Sequence, residues 1–275
     1  MKAPKPRGKA ITLARKRAWV KSFGAYRHPV DVPLVHSWLG QFASADQDLA
    51  ARVLDAVDFM STQGIAASFR TGLQSLNGWN ANPAQRQGTW RFCPWSTSSG
   101  ESGDSMLHNF RITNGLSTTA HRDLFIYPAD IVRARLGPSD SLVFVNDFVG
   151  TGSEVCEAWR DYFSELTAGI GNVYLLVSMG CTAGRQRVAQ ETAIQVVSGH
   201  ELSNADNLFS KECKHFNEGD KATLLSYAAK ADKKRPKGFG DCGLLVVFQH
   251  RCPNNSVAFL HAASPKWEPL FPRHE

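Results

Sequence analysis

The chain has 275 residues, 43% of them hydrophobic and 20% charged, which excludes full disorder and allows one large domain with an accessory region. Its longest apolar runs, 243–248 and 173–177, fall far short of the roughly 20 residues that span a bilayer, so no membrane segment is expected. The basic N-terminus lacks the apolar stretch of a signal peptide, and the expected location is the cytoplasm.

The formal charge of +6 is uneven. Lys2, Lys5, Arg7, Lys9, Arg15, Lys16, Arg17 and Lys21 open the chain with no acid among them, and without them 23 of the 31 basic residues face 25 acids. The basicity is therefore a tail on a nearly neutral body. Such a tail could hold nucleic acid or an acidic partner by charge, or be merely solvated. Cys93, Cys156, Cys181, Cys213, Cys242 and Cys252 show no paired short spacing, which argues against a zinc site and a disulfide framework and fits a reducing compartment. The histidines show no metal-binding helix spacing either.

Taken in chain order, residues 32–76 place apolar side chains at helical spacing, with Leu49, Val53, Leu54 and Val57 followed by Ile65, Phe69, Leu73 and Leu76. Two or three helices are expected there, and the Asn-, Gly- and Pro-rich 76–87 reads as the connection out. TWRFCPW (89–95) reads as a strand, STSSGESGDS (96–105) as a polar loop, and 105–114 as a helix. Further strands are expected at 124–127, 141–145, 172–178 and 193–197, with helices at 153–166 and 182–191. This alternation indicates βαβ units and a parallel sheet. Later, 221–230 reads as a helix, 230–240 as a basic loop, and CGLLVVF (242–248) as another buried strand. The proline-bearing 249–275 reads as an irregular arm wrapping the edge of the domain.

The chemistry concentrates in LVFVNDFVGTGS (142–153). An apolar strand ends in Asn146 and Asp147, Phe148 and Val149 follow, then Gly150, Thr151, Gly152, and a helix from Ser153. Ligands of open α/β sheets sit at carboxyl ends of strands. Gly150 and Gly152 let backbone amides approach phosphate oxygens, Thr151 and Ser153 offer hydroxyls, and the helix start adds a favourable dipole. A nucleotide-triphosphate loop would need a lysine after the second glycine, and a dinucleotide fingerprint would need three spaced glycines; neither is present.

This order resembles the signature of type I phosphoribosyltransferases, in which an apolar strand ends in two acids and a small-residue loop closes on Thr-Gly. The likeness implies a phosphoribosyltransferase-like α/β fold, a parallel sheet flanked by helices, divided as a basic tail (1–24), an N-terminal helical subdomain (25–82) and the phosphoribosyltransferase-like domain (83–275). It implies a ligand, phosphoribosyl pyrophosphate or a nucleotide, whose 5'-phosphate is gripped by the loop, with Asp147 holding ribose hydroxyls or a magnesium ion (Mg2+) through water. It also implies an earlier loop for pyrophosphate, and Ser99, Gly100, Ser102 and Gly103 are placed to supply it. Asn146 departs from the pattern: it keeps the hydrogen-bonding shape of an acid and loses its charge. That fits a binding or degenerate member, or an inactivating Asp→Asn substitution.

WLGQF, SGDSMLHNFRITNGL, VYLLVSMGCTAG and the segment from GFGDCGLLVVF to LFPR extend the resemblance to phosphoribosyltransferase-like effectors of bacterial conflict systems, over about 35–273. Some of that group are similar to accessory proteins encoded beside retron reverse transcriptases and winged-helix partners, which implies an antiphage role and those two proteins, with their nucleic acid, as partners. If 244–248 is a parallel strand of the same sheet, His250, Asn254 and Asn255 emerge beside Asp147 and face the base or leaving group; otherwise Pro-Asn-Asn simply turns the chain.

Three functions follow: an enzyme transferring or releasing a ribose phosphate group, a nucleotide-sensing or assembly subunit without turnover, and a nucleic-acid binder acting through the tail.

Overall fold

The structure is a computed structural model that describes residues 10–97 and 102–273. In chain order the helices and strands are α1 (Leu13–Phe23), α2 (Val32–Gly40), α3 (Gln47–Asp55), β1 (Asp58–Met60), α4 (Thr62–Ser75), β2 (Trp90–Pro94), α5 (Ser102–Thr113), β3 (Ser141–Val149), α6 (Ser153–Ala158), α7 (Ser164–Leu166), β4 (Asn172–Cys181), α8 (Thr182–Glu191), β5 (Gln195–Ser198), β6 (Glu201–Leu202), α9 (Glu218–Ala231), β7 (Val246–Phe248) and α10 (Ala258–His261). A π-helical turn, Trp159–Phe163, joins α6 to α7.

The chain divides into two compact units, one of 1–61 with 204–275 and one of 62–203. These boundaries differ from the sequence-based 1–24, 25–82 and 83–275. Helix α4, expected with the N-terminal helices, belongs to the sheet unit, because its apolar face lies on strand residues: Gly72 has Leu176 directly against it. The C-terminal quarter belongs with the N-terminal helices.

The sheet unit carries the parallel α/β fold. Strands β2, β3, β4 and β5 are hydrogen-bonded in that order, all parallel, and β6 pairs with the end of β4. Both faces of the sheet are covered, so the strands are apolar on both sides, as parallel sheets require. On one face Cys93, Phe144, Leu175 and Val196, aligned by the register, pack with Val155, Phe163 and Val188 from the helices that follow β3 and β4. On the other, Phe110 of α5 meets Phe92 and the Phe69 ring of α4.

The order in which the chain visits the sheet places a switch point between β2 and β3. After β2 the chain runs through α5 and returns to a single parallel bridge, Phe92 to Phe125, on the side of β2 away from β3. It then crosses to the opposite face, where Ile131 joins the core of α6 and α8, and enters β3. The connections thus diverge on either side of the gap between β2 and β3. That divergence is a topological switch point, beyond whose carboxyl ends open α/β sheets bind their ligands. The strand expected at 124–127 is reduced to this bridge: Thr119–Leu124 is a 3-10 turn, and Pro128 starts another.

The other unit is built from aromatic packing. Trp38, Phe42, Phe259 and Trp267 form one cluster, and the indoles of Trp38 and Trp267 both donate to the Phe259 carbonyl, at 3.1 and 2.9 Å. The segment expected as an edge-wrapping arm is core instead: Val257, Ala258, Phe259, Leu260, Leu270 and Phe271 are fully buried. Its prolines punctuate a chain whose apolar residues fill the space over α1 and α2. The strand expected over 242–248 is confined to β7, which pairs in parallel with β1 in a two-stranded sheet of its own. Among the described residues no helix is long and apolar enough to cross a membrane.

Candidate functional site

Strand β3 continues to Val149, so Asn146 and Asp147 lie within it, three and two residues before its end. Asn146 is buried, and its Oδ1 accepts the Asp147 backbone N–H at 2.9 Å and the Ser102 hydroxyl at 3.1 Å. Ser102 Oγ also lies 3.5 Å from Asp147 Oδ1. The Ser178 hydroxyl of β4 donates to the Asp147 carbonyl at 2.6 Å, fixing the backbone beneath the carboxylate.

Ser102 reaches this position because α5 starts hard against the end of β2. A Cβ on Gly103 would stand 2.2 Å from the Trp95 carbonyl oxygen, so only glycine lets the helix begin there. Ser102 and Gly103 of the expected pyrophosphate loop are therefore brought to the carboxyl end of the sheet beside Asn146 and Asp147. Ser99 and Gly100 lie outside the described residues.

The Gly150–Ser153 loop folds as the residue types require. Gly152 caps α6 with φ +76, in the left-handed region. The Thr151 and Ser153 hydroxyls lie 3.0 Å apart, and the Ser153 N–H donates to Thr151 Oγ1 at 3.3 Å. Gly150, Thr151 and Ser153 stay partly exposed and Gly152 is buried, so the loop lies at the surface rather than in the core. Phe148 is half-buried and Val149 packs into the core; both anchor the loop rather than offering polar groups.

Two contributors besides Ser178 went unseen in the sequence. Gly184, in the first turn of α8, supports the loop from below: a Cβ there would stand 2.0 Å from the Gly150 carbonyl oxygen and 3.1 Å from the Gly152 nitrogen. Arg187, one turn further on, donates from Nη1 to Ser153 Oγ at 2.6 Å. The sequence signal for Gly184 was a glycine inside a helical pattern, which marks close packing but not its partner. For Arg187 there was none, since only the sheet order brings α8 beneath the loop.

His250, Asn254 and Asn255 lie outside the sheet unit. The expectation that their strand extends the same sheet is corrected by the pairing of β7 with β1. Asn255 is buried and its amide donates to the Phe239 carbonyl at 3.1 Å, which gives it a structural role in turning the chain.

A family model described as PRTase-CE matches residues 35–273. The chain belongs to the PRTase-CE family. The match spans the whole sheet unit and most of the second unit, in keeping with the parallel α/β sheet and the open loop after β3, and the family is phosphoribosyltransferase-like. No curated protein matches this PRTase-CE chain. Among solved structures, the AQ2163 protein from Aquifex aeolicus is similar at 10% identity, over 62% of this chain and 83% of that one, with a TM-score of 0.32; so slight a likeness carries no argument.

Among the described residues no group of three His, Cys, Asp or Glu side chains could hold a metal ion. Asp147 is the carboxylate at this strand end, and a magnesium ion there would take its other ligands from water and a substrate's phosphates, since such ions keep much of their hydration.

Proposed function

We propose that this PRTase-CE protein binds phosphoribosyl pyrophosphate or a nucleotide at the carboxyl ends of β2 and β3 and transfers or releases the ribose phosphate group. The observation that carries the reading is the contact between the start of α5 and the polar end of β3. Ser102, the first residue of α5, hydrogen-bonds to the polar pair of β3, whose Asp147 lies four residues before the glycine-flanked Thr151. A ligand with phosphates at both ends of a ribose fits donors at both places.

In this reading Gly150, Thr151, Gly152 and Ser153 hold the 5'-phosphate through amides and hydroxyls. The Ser102 side of the sheet edge receives the diphosphate, and Asp147 holds ribose hydroxyls and faces the anomeric carbon. The bond from that carbon to the leaving oxygen breaks as the bond to an acceptor or water forms, through an oxocarbenium-like state that a carboxylate stabilises. No side-chain nucleophile is needed. Asp147 would hold magnesium through water, and the ion would supply positive charge to the leaving diphosphate.

Asn146 favours a second reading, a nucleotide-sensing or assembly subunit that binds without turnover. As an amide it accepts the same two hydrogen bonds an aspartate would accept, while contributing no charge. The wider likeness of WLGQF, VYLLVSMGCTAG and LFPR to effectors of conflict systems supports an antiphage context for either reading, in a cytoplasmic complex with a winged-helix protein and a reverse transcriptase.

Pyrophosphate release from phosphoribosyl pyrophosphate, measured for this chain and for Asn146→Asp, separates the readings. Release by this chain supports the transferase, and release by Asn146→Asp alone marks Asn146 as an inactivating substitution. Binding without release by both supports the sensor, and absence of binding by both rejects the two together.

A further inference from the structure

Arg187 stands outside the loop and the strand end already assigned, yet it touches the loop. Its Nη1 donates to Ser153 Oγ at 2.6 Å, while its Nε donates to Glu191 Oε1 at 2.8 Å, one turn along the same helix. The guanidinium is therefore shared between a carboxylate and a hydroxyl that itself lies 3.0 Å from Thr151 Oγ1. Both partners of the ion pair are well exposed, Arg187 at 43% and Glu191 at 48%, and an exposed i,i+4 pair holds its partners only weakly.

The loop also lacks something the ligand needs. Its amides and hydroxyls are neutral, and the ionisable side chains nearest it in sequence, Asp147 and Glu154, are acidic. From the loop's own residues a phosphate dianion would meet dipoles but no full positive charge. A guanidinium meets a phosphate through two parallel N–H donors, a geometry stronger than a hydroxyl contact.

We propose that Arg187 is a phosphate-binding residue of the Gly150–Ser153 loop, leaving Glu191 to pair with the 5'-phosphate of a phosphoribosyl ligand. This rests on the reading of that loop given above. Glu191 is then the resting partner that keeps the guanidinium beside the loop and competes with the ligand for it. Only α8 needs to be in place, and Gly184 seats α8 there by letting it approach the Gly150 carbonyl.

The test is calorimetric titration of the full chain with ribose 5-phosphate, ribose and inorganic pyrophosphate. The variants are Arg187→Gln, Arg187→Lys, Glu191→Gln and, as a charge-matched control, Arg133→Gln, whose side chain is 86% exposed. Arg187→Gln should weaken ribose 5-phosphate about tenfold or more, the loss expected of one charge-assisted contact, and leave pyrophosphate unchanged. Arg187→Lys should recover part of the loss, Glu191→Gln should tighten ribose 5-phosphate, and Arg133→Gln should match the parent.

If the parent binds ribose 5-phosphate and Arg187→Gln binds it equally well, the role of Arg187 is wrong while the loop reading stands. If the parent binds ribose 5-phosphate no better than ribose, the loop reading falls and takes this inference with it. Should Arg187→Gln fail to fold, Glu191→Gln decides: unchanged affinity there overturns the exchange of partners.

Discussion

The Ser102 hydroxyl and Asn146 Oδ1 lie 3.1 Å apart, joining the first residue of α5 to the polar end of β3. An amide oxygen that accepts two hydrogen bonds in a buried position is costly to remove. In a double-mutant cycle of Ser102→Ala and Asn146→Ala followed by chemical denaturation, the coupling energy should be about 0.5–1.5 kcal/mol. Additive effects of the two substitutions would mean that the contact contributes nothing.

Gly184→Ala tests the support beneath the loop. The new methyl would stand 2.0 Å from the Gly150 carbonyl oxygen, and backbone on both sides leaves little room to yield. Destabilisation of about 1–3 kcal/mol is expected from such overpacking, together with loss of sugar-phosphate affinity as the loop is pushed out. Thermal unfolding and ribose 5-phosphate titration report the two effects separately. A variant that melts and binds like the parent would show that the loop does not depend on α8.

In the second unit His261 supplies a pH dependence. Burial brings its pKa down from 6.5 to about 4, with the nearby Arg273 charge acting in the same direction, and its Nε2 lies 3.0 Å from the Ser256 carbonyl oxygen. Between those pH values the unfolded chain binds more protons than the folded one. The contribution is therefore full above about pH 6.5 and is lost as pH falls toward 4. Denaturation curves at about pH 7 and about pH 4.5 should show a smaller acid loss for His261→Gln than for the parent. Equal losses would mean that other groups carry the acid sensitivity.

Local patterns of this chain were legible and long-range pairings were not. Helix α8 runs over the 182–191 that its spacing indicates, and β3 starts at Ser141 as the apolar run requires. Strand β1 went unforeseen because three residues, Asp58 to Met60, carry no readable period, and its partner β7 lies almost 190 positions later. The same separation misplaced His250, Asn254 and Asn255: CGLLVVF reads as buried, but burial does not say in which sheet. At the site, Asn146 to Ser153 could be named because they are consecutive and carry their own turn chemistry. Ser178, Gly184 and Arg187 could not, since each acts on the loop only through the parallel pairing of β3 with β4.

The central claim is that the open side of Gly150–Ser153 receives a sugar-linked phosphate, and a crystal structure of the protein grown with magnesium and phosphoribosyl pyrophosphate tests it most directly. The account predicts density for the 5'-phosphate against the Thr151 and Ser153 hydroxyls and the loop amides, with the ribose over Asp147. A fully occupied ligand bound elsewhere, with the loop empty, would contradict it.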